Sequence, residues 1–342
     1  MTDFEQKRRD QKVRRLHEAN IKSLGDHKRE GKVKQGNDPA LMVRANIEFN
    51  SLVNGWRRGE ILSLIGDSGC GKTEVALAVM IAILKEHPDE CAVFISLEMT
   101  DQELYKRIVN MVGEDSEILD RFFIVSRYDE DGNSKNVSID WVQRELGRYN
   151  EQLGNVICYC LDHCHILGEN DPSTLNSIMI KLKEISVSLN CLGIPLAQVN
   201  KSSGGKGEIP LDADSVLGMS QLKYISSNII QIHRPILRLE EDANLSVLAW
   251  GYAKVREPHK DDKVKRGQNK LLTYDLETRT LRQLTTGEYS AFKMYYNELL
   301  EMKSAEEKSK AFAYDLKKEI ITKDGKTIEI KEIFSGDRDD EL

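Results

Sequence analysis

The residues best suited to chemistry in this sequence form one short glycine-rich stretch after a mostly apolar run. The run Ile61–Ile65 leads into Gly66-Asp67-Ser68-Gly69-Cys70-Gly71-Lys72-Thr73, which fits G-x-x-x-x-G-K-[ST] at every specified position. Glycines let the backbone fold around a polyphosphate, so that successive N–H groups and the positive end of the next helix point toward it. We expect Lys72 to contact the β- and γ-phosphates and Thr73 to offer its hydroxyl to Mg²⁺. The stretch therefore predicts a nucleoside triphosphate site.

The segments on either side of this stretch are those that a phosphate-binding loop requires. A strand-like run precedes it, and residues 74–85 continue as an apolar helical segment without Gly or Pro. The alternative is a glycine-rich turn that arose by chance, but such a turn needs neither neighbour.

Polar side chains also end several later strand-like runs, where a nucleotide hydrolase needs them. Glu98 follows the next apolar run and is placed to polarise an attacking water. Asp162 ends a longer apolar run, the Walker-B arrangement that holds Mg²⁺. Gln198 ends a third run and could sense the γ-phosphate. Lys254 and Arg256 form a late basic pair that could reach a nucleotide held by a neighbouring subunit.

Strand-like and helix-like segments alternate after the glycine-rich stretch. Two of the helices open with clear signals, a capping box at Thr100–Glu103 and an N-cap followed by proline at Asp171–Pro172. Pro195 predicts that its strand begins there, because proline cannot donate to a neighbouring strand. From residue 228 onward strands follow one another without long helices. The pattern predicts an α/β fold, a mainly parallel sheet flanked by helices with antiparallel strands added toward the C-terminus, and ligands at the carboxyl ends of the strands.

Three motifs of this chain occur together in one known family. They are Ser96-Leu97-Glu98-Met99, the stretch Gln198-Val199-Asn200-Lys201, and the K-x-R pair of Lys254 and Arg256. With these motifs, roughly residues 40–285 resemble the ATPase domain of DnaB-like replicative helicases, which are RecA-like hexameric motors. The resemblance implies a RecA-like P-loop NTPase that binds ATP and Mg²⁺, assembles as a homo-hexamer, translocates on single-stranded DNA and unwinds duplex.

The same resemblance implies roles for individual residues and partners. Gln198 would couple the γ-phosphate to the DNA-binding loop, and Lys254 with Arg256 would act in trans. The loop Lys201–Gly218 contains Lys206 and a Ser/Gly-rich path, which suits contacts with single-stranded DNA. A primase or a helicase loader is a candidate protein partner.

The chain departs from the family pattern in two places. Asp162-His163-Cys164-His165 stands where the family usually has Asp-Tyr-Leu-Gln, and residues 214–220 match the Arg-, Glu- and Gly-rich DNA-contacting segment poorly. The nearby group Cys158, Cys160, His163, Cys164 and His165 invites a zinc interpretation, but its spacing does not fit paired C-x₂-C ligands. On a buried strand cysteine behaves as a small hydrophobic residue, and we favour that interpretation.

Composition excludes several classes of function and predicts three regions. A net charge of −7 excludes a polycation that coats nucleic acid, and six cysteines without disulfide spacing predict reduced thiols in a cytoplasmic protein. The longest apolar run, residues 75–84, is too short to span a bilayer, and the charged N-terminus predicts no signal peptide. The predicted regions are a charged helical arm and linker (1–40), a RecA-like ATPase core (41–285), and a helical and hairpin extension with an acidic tail (286–342).

Some alternatives stay open at the level of the sequence. The N-terminal arm is either a solvated charged helix or a segment that docks on a neighbouring subunit. A RecA-like recombinase filament shares almost every motif but assembles as an open helix instead of a closed ring. A non-motor ATP-dependent loader or switch would hydrolyse slowly and need not move on DNA.

Overall fold

The computed structural model describes residues 42–43, 55–129, 132–168, 171–199, 220–234, 247–256, 269–274 and 281–319. Four of the predicted features lie outside these residues: the N-terminal arm, the loop Lys201–Gly218, the C-terminal hairpin and the acidic tail. The described strands are β1 (Met42–Val43), β2 (Trp56–Arg57), β3 (Leu62–Gly66), β4 (Cys91–Ser96), β5 (Phe122–Ser126), β6 (Val156–Asp162), β7 (Leu192–Gln198), β8 (Asn228–His233), β9 (Val247–Val255), β10 (Asn269–Tyr274) and β11 (Leu281–Gln283). The described helices are α1 (Lys72–Glu86), α2 (Asp101–Val112), α3 (Ile139–Leu153), α4 (Pro172–Ser188), α5 (Ser220–Ile225) and α6 (Thr286–Glu319).

One nine-stranded sheet organises the described chain, with the strand order β11-β10-β9-β8-β3-β7-β6-β4-β5. The six strands from β8 to β5 in this order are parallel. Strands β9, β10 and β11 add to the β8 side as antiparallel neighbours. The predicted α/β fold, with a mainly parallel sheet and antiparallel strands toward the C-terminus, is therefore confirmed.

Both faces of the sheet are buried, which explains why its central strands are apolar along most of their length. Leu62 and Leu64 of β3 belong to a core layer that includes the apolar side chains of α1 and α2. Ile61 and Ile65 belong to the opposite layer, together with side chains of α3 and α4. Because successive residues of a strand point to opposite faces, the same run of sequence supplies both layers.

The predicted helix starts are formed by the residues that signalled them. The Thr100 side chain accepts from the backbone N–H of Glu103, and the Glu103 carboxylate accepts in return from the Thr100 backbone N–H. Asp171 caps α4 by accepting from the Thr174 N–H, and Pro172 occupies the first helical position. These two helices therefore begin where local hydrogen bonding directs them.

The predicted start of β7 at Pro195 is wrong. The strand begins at Leu192, and Pro195 lies within it, opposite Leu161 of β6. One missing donor is tolerated because the flanking residues stay paired, Ile194 with β6 and Leu196 with β3. A central parallel strand held on both sides can lose a single hydrogen bond when its apolar side chains are buried.

A buried tyrosine ties the sheet to α4 and offers a test of this packing. The Tyr159 hydroxyl donates to the Leu182 carbonyl oxygen at 2.9 Å and lies 3.1 Å from Ser186 Oγ, and the side chain is fully buried. We expect Tyr159→Phe to lower the free energy of unfolding by about 1 kcal/mol, because a buried hydrogen bond is lost without a change of shape. Urea denaturation followed by circular dichroism measures this loss. Tyr105→Phe, at an exposed tyrosine of α2, is the control, and equal effects of the two changes would contradict the packing described.

Candidate nucleotide-binding site

The glycine-rich stretch forms a loop from the carboxyl end of β3 to the start of α1. A Cβ at Gly66 would lie 2.3 Å from the Ile232 carbonyl oxygen and 2.6 Å from Cys70 Sγ, so no larger residue fits there. Gly71 caps α1 with a φ of 98°, in the left-handed region that favours glycine, and no side chain caps the helix. The first N–H groups of α1 are therefore not satisfied by a capping side chain, which leaves them for an anion.

Lys72 folds back onto the loop that carries it. Its Nζ donates to the Gly66 carbonyl oxygen at 3.0 Å and to the Asp67 carbonyl oxygen at 2.7 Å. The side chain is buried, so the ammonium group is held beside the loop and near the helix N-terminus. A phosphate group bound there would add a charge-assisted partner for a cation that is already positioned.

The Cys70 side chain lies beneath the loop and does not reach the cavity in front of it. It is almost fully buried, and burial raises the pKa of its thiol, so that the group stays neutral. Its backbone N–H donates to the Asp67 carbonyl oxygen at 3.4 Å, within the loop itself. Gly66 and Asp67 also belong to the loop without lining the cavity, whereas Ser68, Gly69, Gly71, Lys72 and Thr73 line it.

Thr73 and Asp162 meet across the carboxyl edge of the sheet. The Thr73 hydroxyl donates to Asp162 Oδ2 at 2.7 Å, and the Asp162 side chain is buried at the end of β6. Hydroxyl and carboxylate oxygens are ligands that Mg²⁺ accepts, directly or through its waters. The donor set that the sequence predicted therefore fits the metal that a bound nucleoside triphosphate carries.

Glu98 stands on a turn that two sets of hydrogen bonds fix. Ser96 Oγ donates to the Met99 carbonyl oxygen and accepts from the Met99 N–H, and the Leu97 N–H donates to the Asp162 carbonyl oxygen at 2.7 Å. The Glu98 side chain is 47% exposed and faces the cavity. A carboxylate in this position can orient a water molecule next to a bound phosphate.

His163 connects three of the predicted residues, although the sequence left its role open. Its Nδ1 lies 3.1 Å from Asp162 Oδ1, and its Nε2 lies 3.1 Å from Glu98 Oε1 and 3.0 Å from Gln198 Nε2. The imidazole is almost fully buried. Asp162, Glu98 and Gln198 thus converge through one ring, at the ends of three neighbouring parallel strands.

These groups surround one cavity of about 450 Å³. Sequence reasoning gave no role to five side chains in its wall: His163, Met99, Arg234, and the ion pair of Glu74 and Arg107. Arg234 directly follows β8, and a charged residue after a buried strand at the carboxyl edge is a signal that could have identified it. The full lining is Ser68, Gly69, Gly71, Lys72, Thr73, Glu74, Glu98, Met99, Arg107, Asp162, His163, Gln198 and Arg234.

Lys254 and Arg256 lie at the opposite edge of the sheet from this cavity. Strand β9 runs antiparallel to β8, so Val255 pairs with Asn228, which in turn pairs with Leu62 at the amino end of β3. The phosphate-binding loop begins at the other end of β3, about 13 Å farther along the strand. Neither residue lines the cavity of its own chain.

The two basic residues also differ from each other in their surroundings. Lys254 Nζ donates to the carbonyl oxygens of Lys223 and Ser226 at 2.6 and 2.7 Å, at the end of α5. Partial burial, together with the nearby charges of Arg256 and Lys223, lowers the pKa of Lys254. Arg256 is exposed, and its backbone N–H donates to the Ser227 carbonyl oxygen. Lys254 is therefore used within its own chain, whereas the Arg256 side chain is accessible from outside.

The cysteines near β6 are part of the core. Cys158 and Cys160 pack into one core layer and Cys164 into the other, and its thiol donates to the Leu196 carbonyl oxygen. Within the described ranges, the one group of potential ligand atoms close enough to hold a metal ion is Glu98, Asp162 and His163. The cysteines do not take part in it, which agrees with the structural interpretation.

Comparison with known proteins places the chain in a fold class. A family model described as an AAA domain matches residues 45–204, a little under half of the chain. No match is found among curated protein sequences. No helix among the described residues is long and apolar enough to cross a membrane.

Three solved structures are similar in fold. A DnaB-like replicative helicase, in a structure concerned with its interactions with primase, has a TM-score of 0.59 and 16% identity over 80% of this chain and 71% of the other. An ATPase domain has a TM-score of 0.57 and 16% identity over 79% of this chain and 99% of the other. A KaiC-like protein from Pyrococcus horikoshii OT3 has a TM-score of 0.51 and 17% identity over 71% and 99%. With the family match, these similarities show that the chain has the RecA-like P-loop NTPase fold.

Arg234 provides a test of the cavity as a phosphate site. A Cβ at Gly71 would lie 3.9 Å from Arg234 Nη2, and Arg234 Nε is buried without a partner among the described residues. We expect Arg234→Ala to weaken ATP binding about tenfold or more, because a charge-assisted contact is lost. Isothermal titration calorimetry with ATP and Mg²⁺ measures the Kd. Arg282→Ala, at an exposed arginine paired with Glu288 away from the cavity, is the control, and an unchanged Kd for Arg234→Ala would place the phosphates elsewhere.

Proposed function

We propose that this protein is an ATP-hydrolysing, ring-forming motor that translocates on single-stranded DNA and unwinds duplex, as a replicative DNA helicase does. The observation that carries the proposal is the arrangement of polar groups at the two edges of the sheet. Thr73, Asp162, Glu98 and Gln198 face one cavity at the carboxyl edge, and Arg256 is exposed at the amino edge. The cavity therefore holds the groups for hydrolysis but lacks the predicted arginine finger of its own chain.

Each residue in the cavity has one role in this proposal. The loop and Lys72 bind the phosphates, Thr73 and Asp162 hold Mg²⁺, and Glu98 activates the attacking water. Mg²⁺, when bound, neutralises charge that develops on the transferring phosphoryl group. Gln198 contacts the γ-phosphate.

Assembly follows from the position of Arg256. An arginine finger contributes to hydrolysis only where it reaches a nucleotide. Arg256 lies near the amino end of β3, and its own phosphate-binding loop begins about 13 Å away, at the other end of that strand. A second copy of the chain that placed its amino edge against the cavity would bring the two together. Repetition of that heterologous contact closes into a ring or continues as a filament. A homo-hexamer is the assembly proposed here.

Contact with DNA is proposed for the loop Lys201–Gly218. Gln198 ends β7, three residues before this loop, and α5 begins two residues after it. A change at Gln198 when nucleotide is hydrolysed is thus directly connected to the loop along the chain. Lys201 and Lys206 supply the local positive charge that phosphate contacts need in a chain of net charge −7. A primase or helicase loader is the proposed protein partner.

The alternatives differ in assembly and in work done on DNA. A recombinase-like ATPase forms an open filament, which electron microscopy with ATP and a single strand distinguishes from closed rings. A non-motor loader or switch hydrolyses ATP without separating strands, which an assay with a forked duplex detects. ATP-dependent strand separation by closed rings supports the proposal, and filaments or the absence of unwinding contradict it.

Glu98 separates binding of ATP from its hydrolysis. We expect Glu98→Gln to bind ATP with an affinity close to that of the parent and to lower kcat at least about 100-fold, because the general base is lost while the phosphate contacts stay. Calorimetry measures binding, and phosphate release measures turnover. Glu151→Gln, at an exposed carboxylate on α3, controls for the loss of charge. Hydrolysis at near the parent rate by Glu98→Gln would show that another group is the base.

Arg256 tests action between subunits. Arg256→Ala should bind ATP almost normally and hydrolyse it poorly, because the finger contributes to the transition state and not to nucleotide binding by its own chain. Mixing with excess Lys72→Ala protein, which has an intact Arg256 but a dead site, should restore part of the activity. Subunit exchange is verified separately with labelled chains.

The same mixing experiment separates Lys254 from Arg256. If Lys254 also acts in trans, the Lys254→Ala protein regains activity on mixing with Lys72→Ala. If the role of Lys254 is instead to bind the two carbonyl oxygens of its own chain, the Lys254→Ala protein loses activity within its own subunit, and mixing does not restore that activity. If the subunits exchange and the Arg256→Ala protein still regains no activity at any mixing ratio, the result contradicts the proposal that Arg256 acts in trans at sites that work independently. Adding increasing amounts of Arg256→Ala protein to the parent protein then measures the coupling between sites. A steep loss of ATPase activity indicates that neighbouring sites hydrolyse ATP in a coupled way.

A further inference from the structure

One ion pair in the wall of the proposed nucleotide cavity has no part in the reaction as described so far. Glu74, in the first turn of α1, pairs with Arg107 of α2, and both side chains line the cavity. The Glu74 side chain is 11% exposed and the Arg107 side chain is 30% exposed. The guanidinium group therefore belongs to the more accessible of the two side chains.

Glu74 is placed where a carboxylate alone would oppose the binding of an anion. It directly follows Lys72 and Thr73, the residues proposed to contact the phosphates and Mg²⁺. An unpaired negative charge at this point would repel a polyphosphate, and its burial would add to the cost. The positive charge of Arg107 offsets that of Glu74, so the first turn of α1 stays suited to an anion.

The contact with Glu74 uses only part of the hydrogen-bonding capacity of Arg107. A guanidinium group and its Nε carry five N–H donors in one plane. Nη1 of Arg107 donates to Glu74 Oε1, and Nε and Nη2 have no hydrogen-bond partner among the residues that the structure describes. The ion pair thus holds the guanidinium group in the cavity wall and leaves donors from which a ligand oxygen can accept.

The connections of Arg107 indicate which part of a nucleotide it can reach. Its partner Glu74 is one residue from Thr73, in the helical turn that follows the phosphate-binding loop. Its own helix, α2, begins three residues after Glu98, which also lines the cavity. Both of these turns are at the phosphate end of the proposed site. Arginine suits that end, because its planar group of donors matches the geometry of phosphate oxygens.

We propose that Arg107 binds a phosphate group of the nucleotide within its own subunit. The inference rests on the proposed ATPase function, in which this cavity holds the triphosphate. Glu74 holds the guanidinium group at the cavity wall, and the donors on Nε and Nη2 face the bound phosphate. The chain then supplies one arginine to its own site through Arg107 and another to the neighbouring site through Arg256.

A role limited to neutralising Glu74 leads to a different expectation. In that case Arg107 matters for ATP binding only while Glu74 carries its charge. Glu74→Gln removes the charge and keeps an amide oxygen that can accept from Nη1, so Arg107 keeps a partner in this background. The effect of losing Arg107 in the Glu74→Gln protein therefore measures its contact with phosphate, without any contribution from an unpaired carboxylate.

The experiment places Arg107→Gln in the parent and in the Glu74→Gln protein. Isothermal titration calorimetry with ATP and Mg²⁺ measures the Kd of all four proteins, and thermal unfolding verifies that each is folded. We expect Arg107→Gln to weaken ATP binding about tenfold or more in both backgrounds, because a charge-assisted contact is lost in each. The decisive comparison, within the Glu74→Gln background, leaves no buried carboxylate unpaired, so it does not depend on the folding of the single Arg107→Gln variant.

The ion pair of Glu145 and Arg148 on α3 provides the matched control, because neither residue lines the cavity. Arg148→Gln, alone and with Glu145→Gln, should keep the Kd for ATP within about twofold of the parent value.

Two results separate failure of the inference from failure of the proposed function. If the parent binds ATP, and Glu74→Gln/Arg107→Gln has a Kd within about twofold of Glu74→Gln, the inference is overturned while the proposed function stands. Neutralisation of Glu74 then accounts for the whole effect of Arg107. A parent protein that does not bind ATP overturns the proposed function, and the inference with it.

Discussion

The hydrogen bond between Thr73 and Asp162 joins two parts of the chain that are 89 residues apart, and the site depends on it. Thr73 is fixed by the first turn of α1, which the phosphate-binding loop sets, and Asp162 is fixed by the end of β6. Parallel order in the sheet is what makes the contact available, because it collects the ends of β3, β7, β6 and β4 at one edge. The turn that carries Glu98 is also fixed to β6, because the Leu97 N–H donates to the Asp162 carbonyl oxygen. The groups in the cavity are therefore positioned by backbone elements that are buried on both faces.

The direction of the antiparallel strand β9 decides which edge of the sheet carries Lys254 and Arg256. If β9 ran parallel to β8, its last residues would lie beside the phosphate-binding loop, and Arg256 could act in its own site. Because it runs antiparallel, the strand carries Lys254 and Arg256 to the amino edge. The two residues then separate, with the ammonium group of Lys254 bound to carbonyl oxygens at the end of α5 and Arg256 exposed. This division supports the proposed assembly in which one copy completes the site of the next. The contacts of Lys254 also join β9 to the segment that follows the proposed DNA-binding loop.

His163 shows that a residue's surroundings in the structure can differ from what its neighbours in the sequence suggest. In sequence it follows Asp162 directly, and it lies among cysteines that suggest zinc. In the structure the cysteine side chains belong to the core layers, and the imidazole is directed to the polar cavity. The difference arises because successive residues after the end of β6 no longer follow the alternation of a strand.

Local signals in the sequence determined much of this protein. The fit of Gly66–Thr73 to a phosphate-binding loop, the capping residues Thr100 and Asp171, and the apolar runs of the parallel strands each act over a few residues, and the structure forms them as expected. Only the tertiary structure decided which distant side chains meet. Four features depend on strand order and direction: the contacts of His163 with three other side chains, the contribution of Arg234 to the cavity, the position of Pro195 within a central strand, and the separation of Lys254 from Arg256. Those are set by packing between segments far apart in the chain, on which local propensity carries no information.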